Sequence, residues 1–268
     1  MYNFKIIEYP NGTVQLRSYT IPILSRTNED KTDNENILFE PFEGKQVKEV
    51  DSFSHESNCN TKKQENLRKS LARTKQKVHT YSRCCKWEWF VTLTYSPTLI
   101  DRTDFKECMK RVRYYLHNAR REAPSLRYLF LPELHSDMVS WHCHGLLSET
   151  GNLKFEKSGH FDDSGNPVYN LQNWKWGFST ATKISDPYRI SNYVIKYITK
   201  ESMLLAQNAH RYYVSNNLPK PKESLMLVDP IELEDVIQTL ADSMGKDIVY
   251  CSKPYSTPFT DVTFMELQ

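Results

Sequence analysis

Apolar residues recur along this chain with two periods, and the change from one to the other marks its elements. Trp87–Tyr95 alternates with period two and is rich in aromatic and β-branched residues, which predicts a strand ended by Ser96-Pro97. Arg127–His135 and Ser140–Ser148 read as two further strands. The short Ser136–Val139 turn returns one against the other as an antiparallel hairpin. Helical spacing governs the segments around them. Leu67, Leu71, Thr74 and Val78 predict a helix from Thr61 to about Ser82. Phe105, Met109, Val112, Leu116 and Ala119 predict a second, with Asp104 and Glu107 as a capping box and Pro124 as its stop. A third is expected over Tyr188–Lys200, opened by Asp186-Pro187, with Ile190, Val194 and Ile198 as its packing stripe.

The ends of the chain read differently. Asn3–Tyr9 and Thr13–Ile21 flank Pro10-Asn11-Gly12 as a small hairpin, and residues 26–61 are polar and acidic, a linker interrupted by Ile37–Phe42. Residues 149–176 are rich in Gly, Asn and Asp and are expected to form a long loop. After Pro219-Lys220-Pro221-Lys222 come a helical segment, Ile231–Met244, and the proline-bearing extended stretch Tyr250–Pro258. The expected organisation is an N-terminal arm (1–61), a central domain (62–215) and a C-terminal appendage (216–268).

Composition narrows the class. With 268 residues, 39% hydrophobic and 25% charged, the chain suits one globular domain with additions. No apolar run approaches the roughly 20 residues of a membrane span, and no signal peptide is evident. Six cysteines without a Cys-x-x-Cys pair argue against a zinc ribbon or a secreted disulfide framework, and favour a reducing cytoplasm. The net charge of +2 conceals a basic block: residues 62–127 carry 17 Lys and Arg against 6 Asp and Glu. Such a block reads as a polyanion contact. Arg68, Lys69, Arg73, Lys75 and Lys77 on the first helix, with Lys110, Arg111 and Arg113 on the second, are the candidate backbone contacts of a nucleic acid.

Candidate chemistry centres on Trp141-His142-Cys143-His144-Gly145-Leu146. Strand alternation puts both imidazoles on one face with Leu146, and Cys143 with Trp141 on the other. Glu133, nine residues before His142, faces it across the predicted hairpin. One carboxylate and two imidazoles then meet at one point, as a divalent metal site requires. His135 is a weaker fourth candidate nearer the turn. On the third helix Tyr193 and Tyr197 lie one turn apart, each followed three residues later by Lys196 or Lys200. An ammonium beside a phenol favours phenolate and also holds phosphate.

Phe90-Val91-Thr92-Leu93-Thr94, then His142-Cys143-His144, then Tyr193-Val194-Ile195-Lys196-Tyr197-Ile198-Thr199-Lys200 resembles, in that order, the HUH endonuclease superfamily, most closely the rolling-circle replication initiators of phages and plasmids. The resemblance covers residues 87–201. It implies an α+β fold, a ferredoxin-like antiparallel sheet of about five strands with flanking helices. It also implies Mg²⁺ or Mn²⁺ held by His142, His144 and Glu133, and a catalytic helix in which Tyr193 or Tyr197, assisted by Lys196 and Lys200, attacks a DNA phosphate. The product is a 5′-phosphotyrosine and a free 3′-OH at a replication origin in a bacterial host. No G-x-x-x-x-G-K-[ST] phosphate loop occurs, so unwinding and extension fall to a host helicase and polymerase. A transposase or relaxase with the same chemistry, and a non-catalytic nucleic-acid-binding module, are the alternatives. A zinc hydrolase is disfavoured, because no further His or Cys stands at zinc spacing.

Overall fold

The computed structural model describes residues 1–24, 57–186, 189–199, 209–257 and 259–268. In chain order the elements are β1 (Tyr2–Glu8), β2 (Val14–Ile23), α1 (Ser57–Arg83), β3 (Trp89–Thr94), α2 (Phe105–Glu122), β4 (Arg127–Leu134), β5 (Trp141–Ser148), β6 (Phe155–Phe161), β7 (Pro167–Leu171) and β8 (Ser179–Lys183). Then follow α3 (Ile190–Val194), continued by a 3₁₀ turn (Ile195–Tyr197), β9 (Tyr213–Val214), β10 (Lys222–Met226), α4 (Leu233–Met244), β11 (Ile248–Cys251), β12 (Tyr255–Ser256) and β13 (Asp261–Leu267). The fold is α+β with antiparallel sheets, and the chain divides into two compact units, residues 1–37 with 219–268, and residues 38–218.

The larger unit is built on a seven-stranded sheet in the order β6-β7-β8-β3-β5-β4-β9. Alternation along its strands separates two cores. Val91, Leu93, Cys143, Leu147 and Phe130 pack with the Met109, Val112 and Leu116 stripe of α2 on one face. Leu129, Leu131 and Leu146 pack on the other face with Val78 of α1 and with Ile190, Val194, Ile195 and Ile198. The tyrosine segment and the histidine faces of the strands therefore share one side of the sheet, and α2 occupies the opposite side.

Three expectations change on contact with the fold. The 149–176 stretch is not a loop: β6 and β7 form a hairpin that extends the sheet beyond the five or so strands anticipated. Its alternation is diluted by the polar turn at Asp162–Asn166. What fixes it is long-range packing, with Phe155 stacked on Trp89 at 4.2 Å and Tyr169 edge-on to the same ring at 5.2 Å. The third helix is far shorter than Tyr188–Lys200. Asp186 accepts from the Arg189 N–H as a start signal, but regular helix runs only from Ile190 to Val194, tightens to 3₁₀, and ends at Ile198 in extended conformation. Pro187, Tyr188 and Lys200 lie outside the described residues. Val194, Ile195, Ile198 and Thr199 are β-branched and weak helix formers, and Ile195 and Ile198 are buried in the core with the turn in this form. On α2, Asp104 caps by accepting from the Lys106 and Glu107 N–H groups, but Glu107 does not close the box: its carboxylate pairs with Arg111 one turn on.

The smaller unit joins the two ends of the chain. The predicted hairpin forms, with Gly12 at φ +96° in the tight turn. Its strands are neither an isolated arm nor part of the larger sheet: the order is β10-β1-β2-β13-β11, with β12 also on β13. α4 closes one face over Phe4, Ile6, Val14, Leu16, Met265 and Leu267. The divisions expected at residues 61 and 215 are consecutive along the chain, whereas this sheet takes its strands from both ends. The linker expected over residues 26–61, Ile37–Phe42 included, lies almost wholly outside the described residues.

Candidate metal centre and tyrosine pair

β5 sits between β3 and β4, and the ladder register decides what meets on its histidine face. Glu133 pairs with His142 directly across β4 and β5, while Thr94 and Thr92 pair with His142 and His144 across β3 and β5. Gly145 makes the register possible: it faces Phe130 across the ladder, and a Cβ there would come within 2.3 Å of the Phe130 ring. Glycine thus lets β4 and β5 close with a large ring between them, next to His144 in the chain.

Three side chains converge. Glu133 Oε2 lies 2.7 Å from His142 Nε2 and 2.7 Å from His144 Nε2, and the two nitrogens are 3.2 Å apart. All three are largely enclosed, with side chains 22%, 15% and 9% exposed respectively. These residues form the cluster of potential ligands found among the described residues. Divalent ions such as Mg²⁺ bind at about 2.0–2.1 Å with octahedral geometry, which places neighbouring donors about 3 Å apart. The observed triangle matches one face of such an octahedron, so the donor set fits a hard or borderline cation. His135, the weaker candidate, is exposed; its ring lies 5.6 Å from His142, and Nδ1 is 3.2 Å from the Ser136 hydroxyl, outside the cluster.

Protonation suits ligation. Burial opposes ionisation of Glu133, but hydrogen bonds from both histidines outweigh it and hold the carboxyl at about 2. Burial is also the largest influence on His144 and lowers its pKa below the usual 6.5, so the imidazole is neutral at pH 7. A carboxylate and a neutral imidazole are the forms that bind metal.

The first sequence motif supplies two features for which sequence alone assigned no role. The Thr92 hydroxyl lies 3.0 Å from His144 Nδ1, behind the nitrogen that faces the cluster. The Phe90 ring lies 5.6 Å from the His144 ring, nearly parallel to it. Strand alternation puts Thr92 and Thr94 on one face of β3, but only the register with His144 makes it the histidine face and shows what Thr92 touches. The tyrosines complete the group. Tyr197 stacks on His144 with centroids 3.7 Å apart, and Tyr193 lies edge-on to Tyr197 at 5.5 Å and to Phe90 at 5.3 Å. Tyr193 is 44% exposed. Burial, then the Tyr193 hydroxyl, then the charge of Glu133 push the Tyr197 phenol well above its ordinary value. Lys200, the ammonium expected beside Tyr197, lies outside the described residues. The Lys196 ammonium lies over the Tyr193 ring, 5.9 Å from its centroid.

The basic residues do not gather on one surface. Arg68, Lys69, Arg73 and Lys77 are exposed and Lys75 half-buried on α1, which packs on the site side of the sheet; Lys69 pairs with Glu65 at 2.6 Å. Lys110, Arg111 and Arg113 are on α2, behind the sheet. Arg111 is bonded to Glu107 and lies 5.7 Å from the Trp176 ring centroid.

A family model described as replication-associated protein ORF2 matches residues 88–202, the span from β3 through the tyrosine segment. No curated protein and no solved structure matches the chain.

Proposed function

We propose that this chain initiates rolling-circle replication as a metal-dependent nickase and strand transferase acting on single-stranded DNA. The similarity of residues 88–202 to replication-associated proteins supports the role in replication. The observation that carries the chemistry is the meeting of Glu133, His142 and His144 within hydrogen-bond distance, with the Tyr197 ring stacked on His144. His142, His144 and Glu133 would hold Mg²⁺ or Mn²⁺, which when bound supplies Lewis-acid polarisation of the scissile phosphate. The protein's own contribution is positioning: a phosphate at the cluster lies beside the tyrosine pair, and Lys196, exposed on the tyrosine turn, is available to a phosphate oxygen.

A tyrosine hydroxyl oxygen attacks phosphorus, the bond from phosphorus to the 3′-oxygen breaks, and the phenolic proton lost is balanced by one gained at the 3′-oxygen. The 5′-phosphotyrosine keeps the bond energy for rejoining, so strand transfer needs no nucleotide cofactor. The freed 3′-OH would prime a host polymerase, and unwinding would come from a separate helicase.

The test is a denaturing protein gel of wild type, Tyr193→Phe, Tyr197→Phe and the double variant, each incubated with labelled origin-derived oligonucleotides and Mn²⁺. A covalent protein–DNA band lost in one single variant names the nucleophile. A band lost only in the double variant shows that either tyrosine serves. DNA binding with no adduct in any case overturns the nuclease reading in favour of a binding module.

A further inference from the structure

Phe178 is the most exposed large apolar side chain described in the larger unit, at 79%. It stands beside the cluster, not on a remote edge. Its carbonyl accepts from the Thr94 N–H, so it continues the β8–β3 ladder by one residue. Ser179 and Ala181 are buried, Ala181 within the α2-side core, whereas Thr180 is exposed. By strand alternation Phe178 shares the face of Thr180, Thr92 and Thr94, which is the face of the histidines. Across the sheet the row reads Phe178, Thr94, His142, Glu133. Two strand spacings, about 10 Å, separate the ring's strand from that of His142.

Gly177 explains how an aromatic comes to be held there. Its φ of +152° is unfavourable for a side chain, and a Cβ would lie 2.2 Å from the Thr94 carbonyl oxygen. The preceding Trp176 carbonyl accepts from the Ser96 N–H. Glycine thus lets residues 176–178 close against the end of β3, and the next side chain is an uncovered phenyl ring on an open sheet face among hydroxyls.

We propose that Phe178 is a stacking platform for a base of single-stranded DNA next to the scissile phosphate, on the side away from the tyrosines. Every base has a π-face, so an exposed ring beside a backbone track gives affinity without sequence readout. The side follows from the rows of the sheet. Tyr197 lies over His144 and toward Phe90, one row to one side of Thr92, whereas Phe178 aligns with Thr94, one row to the other side. In-line displacement puts the attacking and leaving oxygens on opposite sides of phosphorus. Phe178 is therefore placed for the nucleotide that carries the leaving 3′-oxygen. The stacking claim needs only single-strand binding; the side assignment rests on the nicking reading.

Anisotropy with a labelled oligo(dT) in EDTA tests the first claim without metal or cleavage. Phe178→Ala should weaken binding about 5- to 150-fold, the effect of losing one base–aromatic stack. Phe178→Trp should retain it, and the salt dependence should be the same in all three proteins, because a stack releases no counterions. Equal affinity for wild type and Phe178→Ala, or a loss that Phe178→Trp shares, overturns the platform. On an oligonucleotide that wild type cuts, an abasic site immediately 5′ of the cut should abolish the difference between wild type and Phe178→Ala. Masking by an abasic site on the 3′ side instead overturns the side assignment. If wild type forms no adduct with any oligonucleotide, the side assignment falls with the nicking reading, and the platform is decided by oligo(dT) binding alone.

Discussion

Thr92 acts on the candidate metal site through a single hydroxyl. A hydroxyl both donates and accepts, so it satisfies His144 Nδ1 whether that nitrogen carries the proton or not. When His144 Nε2 donates to Glu133, Nδ1 accepts from Thr92; when Nε2 gives its lone pair to a cation, Nδ1–H donates to Thr92. Removing such a support to a metal ligand typically costs 10–100-fold in metal affinity. Thr92→Val should therefore raise the Kd for Mn²⁺ about 10- to 100-fold by isothermal titration, while Thr92→Ser stays near wild type. An unchanged Thr92→Val would assign the contact to packing alone. Acid should destabilise the metal-free protein through the same residues. Glu133 is held near 2 in the fold against an ordinary 4.5, so its stabilisation is complete above about 4.5 and is lost as pH falls toward 2. Burial of His144 adds a loss of the same sign that begins as pH drops below 6.5. The thermal midpoint in EDTA should decline from pH 7 to 4, and His144→Asn should flatten the upper part of that decline.

At the scale of elements, the β4–β5 hairpin carries the site, and its tightest point is Gly145 against Phe130. Overpacking a core by a methyl group costs about 1–3 kcal/mol. Gly145→Ala should lower stability by about that amount in urea, and Phe130→Leu should recover part of it by clearing space. No rescue would mean that the strain lies in the backbone and not in the ring. The tyrosine segment teaches a different lesson. Its apolar spacing continues to Ile198, but a pattern of buried positions does not require helix throughout, and here a 3₁₀ turn buries Ile195 and Ile198 while laying Tyr197 on His144.

For the larger unit as a whole, the sheet separates the basic residues that the sequence groups together. α1 packs on the histidine face and α2 on the other, so under the proposed function single-stranded DNA at the histidines would meet α1 and not α2. Replacing Arg68, Arg73 and Lys77 with Gln should reduce the slope of log affinity against log salt by about 0.7 for each phosphate that is no longer neutralised. Replacing Lys110 and Arg113 should leave it nearly unchanged. An equal effect of the two sets would contradict this placement of the DNA. In the smaller unit, deleting residues 219–268 removes the strands on both sides of the β1–β2 hairpin together with α4. Phe4, Ile6, Val14 and Leu16 then lose their cover, so the truncated chain should aggregate or bind a hydrophobic dye, unlike a chain shortened within a self-contained tail.

The sequence by itself determined whatever depends on neighbours a few residues apart. Period-two alternation put His142, His144 and Leu146 on one face, helical spacing located α1 and α2, and a nine-residue separation around a short turn set Glu133 opposite His142. Tertiary structure decided what depends on elements distant in the chain. It brought Thr92 behind His144 and Tyr197 onto the same ring. It turned a polar stretch into a hairpin through Trp89 and joined the two termini in one sheet. It also put α1 and α2 on opposite faces. Strand pairing between remote segments is fixed by register and by the packing of buried faces against one another, and neither is written in the spacing of residues within one segment.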